Sequence, residues 1–338
     1  MLHWLGRRLL TSFATLFGIT TITFVLARVI PSNPAVVYIG PLARQPEIDR
    51  VTRQLGLDRP LPVQYVKYLH ALVRGDWGTS LATKEPVLGG IVHRLPATLE
   101  LVVAAMLIAV VVGVPLGALT ARRAGRASDI GVRVGSVVGI SMPVFWLGLL
   151  LQAIFSGKLG WLPATSRLSL DTSVLNPIPH HTGFAIPDAL LSGDWGGLRD
   201  ASEHLVLPAA TLAAYPLGLV ARMTRASMLD VLGQDYIRTA RTFGLSRFRI
   251  QWQLALRNAL PATLTVAGLS FAYLLTGTFF VELVYDWPGI GQFATNALLN
   301  LDYPVIMGIT LFGAIGFLTI NLAVDIVQAR LDPRVRLD

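Results

Sequence analysis

The residues whose types and spacing suggest chemistry lie in one basic stretch, Asp235-Tyr236-Ile237-Arg238-Thr239-Ala240-Arg241-Thr242-Phe243-Gly244-Leu245-Ser246. In a helix, Ile237, Ala240 and Gly244 follow i, i+3, i+7 spacing and share one face. Small residues at 240 and 244 suit close approach to a partner, with Arg238 and Arg241 flanking the contact. A solvated basic surface would carry the same arginines, and spacing alone leaves the two readings level. Other chemistries have less support. The chain has no cysteine, which excludes disulfides, thiolate metal sites and cysteine nucleophiles. His180 and His181 are adjacent but lack an evident third ligand, so no metal site is expected. The G-x-x-x-x-G-K-[ST] phosphate loop does not occur.

The elements that must position this stretch follow from composition. Of 338 residues, 53% are hydrophobic and only 14% charged, with mean hydropathy +0.58. Soluble domains carry about 25% charged residues, and a disordered chain needs low hydrophobicity with high net charge. Both are excluded. About 20 apolar residues cross a bilayer, and six runs qualify: Leu9–Val29, Ala97–Ala121, Val134–Ser156, Leu205–Ala221, Ala259–Glu282 and Val305–Val327. The expected fold is therefore all-α, a polytopic membrane protein with six transmembrane helices and residues 1–338 forming one transmembrane domain. The first run is longer than a signal-peptide core and no Ala-x-Ala site follows, so it reads as an uncleaved anchor. Pro208 and Pro216 interrupt the fourth run. Pro115, Pro143 and Pro216 predict local kinks.

Charge sets the expected orientation. With a cytoplasmic N-terminus, the inside segments hold sixteen arginines against five acidic residues, and the outside loops hold eleven basic against twelve acidic. Positive charge stays inside, so both termini are expected in the cytoplasm. The net charge of +8 is then a topology signal, and no nucleic-acid partner is implied. Residues 31–96 and 157–204 become long extracytoplasmic loops, the second an irregular lobe rich in Pro and Gly. Residues 222–258 become a cytoplasmic loop, largely helical and broken at Gly233 and Gly244. It is longer than a connection needs, which suggests docking. Ser141, Pro143, Trp146, Gln152, Tyr215, Thr276 and Asn321 are the candidates to line a passage, and interhelical hydrogen bonding explains them equally well. Glu100, Glu282 and Asp325 sit near span ends, leaving the middle of the bundle uncharged. That disfavours proton or sodium coupling. An ion-coupled carrier, a channel and a non-transporting scaffold remain the alternatives to an externally powered transporter.

The stretch from Asp235 to Pro261, including Ala255-Leu256-Arg257-Asn258-Ala259-Leu260-Pro261, resembles the "EAA" loop of ABC-importer permeases. Thr242 and Phe243 stand where that family commonly has Ala and Lys. The resemblance extends through Leu55-Gly56-Leu57-Asp58-Arg59-Pro60, Arg74-Gly75-Asp76-Trp77-Gly78-Thr79-Ser80, Leu95-Pro96-Ala97-Thr98-Leu99-Glu100, Ser141-Met142-Pro143-Val144-Phe145-Trp146, Arg222-Met223-Thr224-Arg225, Trp287-Pro288-Gly289-Ile290-Gly291 and Leu331-Asp332-Pro333-Arg334-Val335-Arg336. It is strongest to the dipeptide, oligopeptide and nickel class, and within it to the B-type dipeptide permeases. Such a resemblance implies a coupling helix seated on a cytoplasmic ATPase, with Asp235, Tyr236, Thr239, Ala240, Arg241, Gly244 and Leu245 forming the contact. It also implies four kinds of partner: a second homologous permease, two ATPases that bind ATP and Mg, an extracytoplasmic substrate-binding protein, and membrane lipid. No cofactor is implied in this chain.

Overall fold

The computed structural model describes residues 2–29, 34–39, 44–54, 56–179 and 181–331. Leu55, His180 and residues 332–338, with Arg334 and Arg336, lie outside the described residues, and of Thr276 only the backbone is described.

The chain runs through α1 (Leu2–Val29), α2 (Pro34–Ile39), α3 (Gln45–Gln54), α4 (Leu61–Val73), α5 (Val87–Arg122), α6 (Ala127–Ser141) and α7 (Val144–Leu151). After π-type turns at Gln152–Lys158 and Asp171–Leu175 come α8 (Ala185–Ser192), α9 (Trp195–Leu232) and α10 (Asp235–Thr242). A third π-type turn, Arg249–Ala255, leads into α11 (Leu256–Gly277), followed by α12 (Phe279–Val284), α13 (Ile290–Leu299) and α14 (Tyr303–Leu331). The fold is all-α.

Among the described residues, five helices are long and apolar enough to cross a membrane: Gly6–Arg28, Val87–Arg122, Trp195–Leu232, Arg249–Leu275 and Tyr303–Ile326. A sixth exists only if α6 and the helix beginning at Val144 count together, and these are bent by 107°. The run Val134–Ser156, expected as one span, is therefore broken. Pro143 has no N–H to donate and forces the preceding residue out of helical conformation, and Met142 is extended at φ −77°, ψ 129°. Pro115 and Pro216, expected to kink their spans, lie inside continuous helices. Helices α5 and α9 pack along each other past both prolines.

The fourth span also differs from expectation. Instead of Leu205–Ala221, α9 has 38 residues, about 57 Å at 1.5 Å per residue. Its start is set by Asp194, whose carboxylate accepts the Gly197 N–H at 2.9 Å as an N-cap. Residues 195–204, read as part of an irregular loop, are helix, and residues 222–232, expected to be helical up to a break at Gly233, continue α9 to Leu232.

Helices α5 and α9 form the centre, with α6 and α11 against α9, α14 against α11, and α1 outermost on α14. Small residues let membrane helices approach closely; a Cβ at Gly117 would lie 2.5 Å from the Ala221 carbonyl oxygen. Around this pair, Leu101, Val102, Ala105, Leu212, Val220, Tyr285 and Trp287 form one buried cluster.

At the N-terminal half of α5, buried carboxyl groups join the helices. Glu282 is fully buried; it accepts the Thr98 hydroxyl at 2.8 Å and the Gln292 N–H at 3.0 Å. Thr98 Oγ1 in turn accepts the Ile290 N–H at 2.8 Å, and Trp287 Nε1 donates to the Ala97 carbonyl at 2.8 Å. Two motifs far apart in sequence, Leu95–Glu100 and Trp287–Gly291, thus meet. Glu100 accepts both Arg167 nitrogens at 2.9 and 2.7 Å and the Ile186 N–H at 2.9 Å, tying the segment between α7 and α8 to α5. Asp302 accepts from Ser80 Oγ at 2.5 Å and the Ala82 N–H at 3.1 Å, holding the turn before α5 against α14. Asp325 pairs with Arg8 at 2.7 Å, joining α14 to α1.

Asp188 gathers its own loop: it accepts the N–H groups of His181, Thr182 and Gly183 and the Thr182 hydroxyl at 2.6 Å. Burial works against its charge, but these hydrogen bonds outweigh it and hold the carboxyl below the usual carboxylate range.

Two outcomes follow. Glu282→Ala strands the Thr98 hydroxyl and Gln292 N–H, and at about 1–3 kcal/mol for each buried group left unsatisfied it lowers thermal stability in detergent well beyond Glu282→Gln, which keeps one acceptor; equal losses would dismiss the latch. A carboxyl with a depressed folded pKa stabilises above its unfolded value of about 3.9 and ceases to as pH falls through the folded value. The gap in melting temperature between the unaltered chain and Asp188→Asn therefore narrows as pH is lowered from about 6 to about 3.

Candidate functional site

The candidate site is built at the other end of α5 and α9. There Arg225 on α9 donates from Nε and Nη2 to the two Asp129 oxygens at 2.6 and 2.8 Å, and the Gly125 N–H adds a bond at 3.0 Å. Asp129 is fully buried, and a bidentate guanidinium fixes orientation as well as distance. The start of α6 is thereby held against α9. The motif Arg222-Met223-Thr224-Arg225 finds its role here: Thr224 Oγ1 is also 3.2 Å from Thr263 Oγ1 on α11.

Helix α9 ends at Leu232, Gly233 caps it, and α10 begins at Asp235. Ile237 and Ala240 are buried against Ala118, Ala121, Met228, Val231, Ile250, Ala255 and Ala259. This corrects the expectation that Ala240 faces a partner: the apolar stripe of so short a helix is needed to hold it to its own bundle.

Gly244 is a second correction. Helix α10 stops at Thr242, so Gly244 does not share its face; it is left-handed at φ +73°. The Gly244 N–H donates to the Arg241 carbonyl and the Leu245 N–H to the Ala240 carbonyl, at 3.0 and 3.1 Å. That pairing is a Schellman cap, with Leu245 returning to the apolar cluster. A Cβ at 244 would meet no atom within 4 Å, so the requirement for glycine is conformational and not one of space.

The seven residues expected to form one contact therefore divide. Asp235, Tyr236, Thr239 and Gly244 are exposed. Ala240 is buried, and Arg241, itself exposed, lines with the half-buried Leu245 an open groove of about 810 Å³ beside α10. Arg238 pairs with Asp235 at 3.3 Å on the exposed side, an arrangement that contributes little to stability. Phe243, noted in the sequence only as a departure from the family pattern, and Phe248, not singled out there, are 79% and 65% exposed. Their signal was an aromatic side chain in an otherwise polar basic run, which marks a contact surface when left uncovered.

The candidates for a passage are dispersed. Ser141, Pro143 and Trp146 surround the break between α6 and α7 and are exposed. Tyr215 on α9 lies 5.6 Å from the Tyr273 ring on α11, and the Phe145 ring on α7 lies 6.1 Å from Phe280 on α12. Asn321 is buried in α14. Gln152 donates to the Ala164 and Val284 carbonyls at 2.7 and 3.0 Å, which makes it a tie between segments; Thr276 falls in the last turn of α11.

The sequence profile of the binding-protein-dependent transport system inner membrane component matches residues 113–337. The chain belongs to this family. The profile for the N-terminal part of the same membrane component matches residues 1–102. The di/tripeptide transport system permease protein DppB of Pseudomonas aeruginosa is 43% identical over 99% of both chains. The probable D,D-dipeptide transport system permease protein DdpB of Escherichia coli is 42% identical, covering 94% of this chain and 93% of its own. The oligopeptide transport system permease protein AppB of Bacillus subtilis is 35% identical over 99% of both. An inward-facing MetNI methionine ABC transporter shares the fold at TM-score 0.51 and 16% identity, over 72% of this chain and 97% of that one. The chain is an ABC-importer permease subunit, a multi-pass protein of the cytoplasmic membrane and a transport component rather than an enzyme.

In this permease the cap predicts a graded outcome. Gly244→Asn, which tolerates the left-handed region, preserves the end of α10, whereas Gly244→Val costs about 1–2 kcal/mol and raises amide hydrogen exchange across 235–250. Equal protection in both variants would dismiss the conformational role.

Proposed function

We propose that this permease forms half of a translocation pathway for small peptides, pairing with a second similar permease. The observation that carries the reading is 43% identity, over 99% of both chains, to a di/tripeptide transport permease. Two cytoplasmic ATPases bind ATP and Mg, and an extracytoplasmic binding protein delivers the substrate. Both termini and the 222–258 segment lie in the cytoplasm, consistent with the sixteen arginines on that side. The 31–96 and 157–204 segments lie outside.

Helix α10 is the coupling element. Its exposed residues Asp235, Tyr236 and Thr239, with Phe243 beyond, seat in a groove of the ATPase, while Ile237, Ala240 and Leu245 hold it to the bundle. Force applied to α10 passes into α9 and, through Arg225 and Asp129, into α6. The aromatic pairs Tyr215–Tyr273 and Phe145–Phe280 and the break at Pro143, with Ser141 and Trp146, then lie where helices rearrange around the peptide.

An ion-driven carrier is the alternative, and it would need a carboxylate free to exchange its ion. Glu100, Glu282 and Asp325 are each engaged by a partner group, which favours ATP as the energy source.

Reconstitution into vesicles with candidate ATPases and a peptide-binding protein tests this. Dipeptide uptake and peptide-stimulated ATP hydrolysis are expected; Thr239→Arg on the exposed side of α10 should lower both by about tenfold or more, the scale of a lost interface anchor, with basal folding unchanged. Uptake that persists without ATP and collapses with the ion gradient would overturn the reading.

A further inference from the structure

Helix α4 stands apart from the bundle. Among the described residues no other helix packs along it, yet a free helix of 13 residues is marginal in water. Its two flanks return to one place: Leu57 before it and Asp76 after it line a cavity of about 390 Å³ together with Ala27 and Arg28 at the end of α1. The helix therefore starts and finishes near the level where the first membrane-crossing segment, Gly6–Arg28, stops.

What α4 touches lies deeper. The Tyr65 hydroxyl is 2.6 Å from Thr21 Oγ1, and its ring centroid is 6.3 Å from that of Phe17 and 5.1 Å from that of Phe24. Tyr68 stacks on Phe24 at 5.6 Å. Thr21 precedes Arg28 by seven residues, about 10 Å along the helix axis, so Tyr65 reaches well below the end of the span. Phe13, Phe17, Ile22, Val25 and Leu26 are exposed along the same crossing segment, where lipid is the solvent.

Rotation about the α4 axis gives three faces, each about a third of a turn from the next. Gln64, Tyr65 and Tyr68 form the side turned to the protein, with Gln64 Nε2 donating to the Leu57 and Arg59 carbonyls. Val66, Leu69 and Val73, spaced i, i+3, i+7, form an apolar face, on which Val66 is 65% and Val73 89% exposed. Lys67, His70 and Arg74 form the third, also exposed. Of the residues turned to the protein, Tyr65 is rotated toward the valines and makes the deep contacts with Phe17 and Thr21. Gln64 is rotated toward the basic face and meets the loop before α4. The valine face is thus turned into the membrane and the basic face away from it.

We infer that α4 lies in the surface plane of the bilayer, with Val66, Leu69 and Val73 inserted among the acyl chains and Lys67, His70 and Arg74 directed to water. A helix of this kind buries its apolar face about 5–10 Å into the boundary between headgroups and acyl chains, and Thr21 marks a matching depth on α1. The partner is the lipid surface itself. Gripping α1 through Tyr65, α4 anchors the outermost helix at a fixed height. Only the choice of the outer leaflet rests on the orientation proposed above.

The chain has no cysteine, so a single introduced cysteine carries a spin label without a competing site. The full chain is labelled in turn at Val66→Cys, Val73→Cys, Lys67→Cys and Arg74→Cys and reconstituted in phosphatidylcholine vesicles. Phe13→Cys on α1 and Asp171→Cys in the segment before α8 serve as lipid and water references, both sites being exposed. Collision with oxygen, which concentrates in hydrocarbon, and with a water-soluble nickel chelate gives the depth of each label. The ratio of oxygen to nickel contact is expected to be several-fold higher at 66 and 73 than at 67 and 74, placing the first pair about 5–10 Å deep and short of the label at 13. Nickel contact at 66 equal to that at 171 would put α4 in water and overturn the proposal. So would shielding of 66 and 73 from both probes, which would mean that protein, such as the second permease, covers the valines. Depth is read from the nearer membrane surface, so a reversed orientation of the chain would leave the outcome unchanged.

Discussion

A buried polar group in a membrane bundle has no water to turn to, so it must be answered from within the chain. The carboxyl group of Glu282 shows what that constraint builds. Fully buried, it draws the Thr98 hydroxyl from α5 and the Gln292 N–H from α13 onto itself. Trp287 and Ile290 are consequently aimed at the same turn of α5, and Tyr285 reaches Thr211 on α9 and the Gly148 carbonyl on α7. Remove the need to satisfy Glu282 and the short helices α12 and α13 lose the reason for their path. The same rule, with Glu100 and Arg167, attaches the segment leading to α8.

The opposite end uses the same economy of partners for a different purpose. Asp129 and Arg225 join α6 to α9, and Ile237 and Ala240 fix α10 beneath them. The exposed residues of α10 are therefore presented by a framework and not by a mobile loop. What leaves Asp235, Tyr236 and Thr239 exposed is that Ile237 and Ala240 between them are engaged inward.

Much of this was legible in the residues. Apolar runs located the membrane helices because span length is set by bilayer thickness, and Gly233 and Gly244, expected to end helices, do so. The missed features share a cause, namely that they depend on neighbours distant in sequence. Pro143 breaks its helix while Pro115 and Pro216 do not, and nothing in their local sequences distinguishes them; the packing of α5 on α9 does. Leu95–Glu100 and Trp287–Gly291 were each recognisable as motifs, yet their meeting spans about 190 residues and leaves no local trace. Arg241 looked like its neighbour Arg238. Both are exposed, yet Arg238 pairs with Asp235 while Arg241 edges the groove beside α10, because Ile237 and Ala240 decide which way the helix lies.

Helix α9 has a mechanical consequence. It runs unbroken from its cap at Asp194 to the capping Gly233 beside α10, about 57 Å. A rod of that length converts a tilt of about 5° at one end into a displacement of about 5 Å at the other. The end capped by Asp194 and the end that leads into α10 are thus two ends of one lever packed against α5, and Pro208 and Pro216 mark where the lever would flex under load.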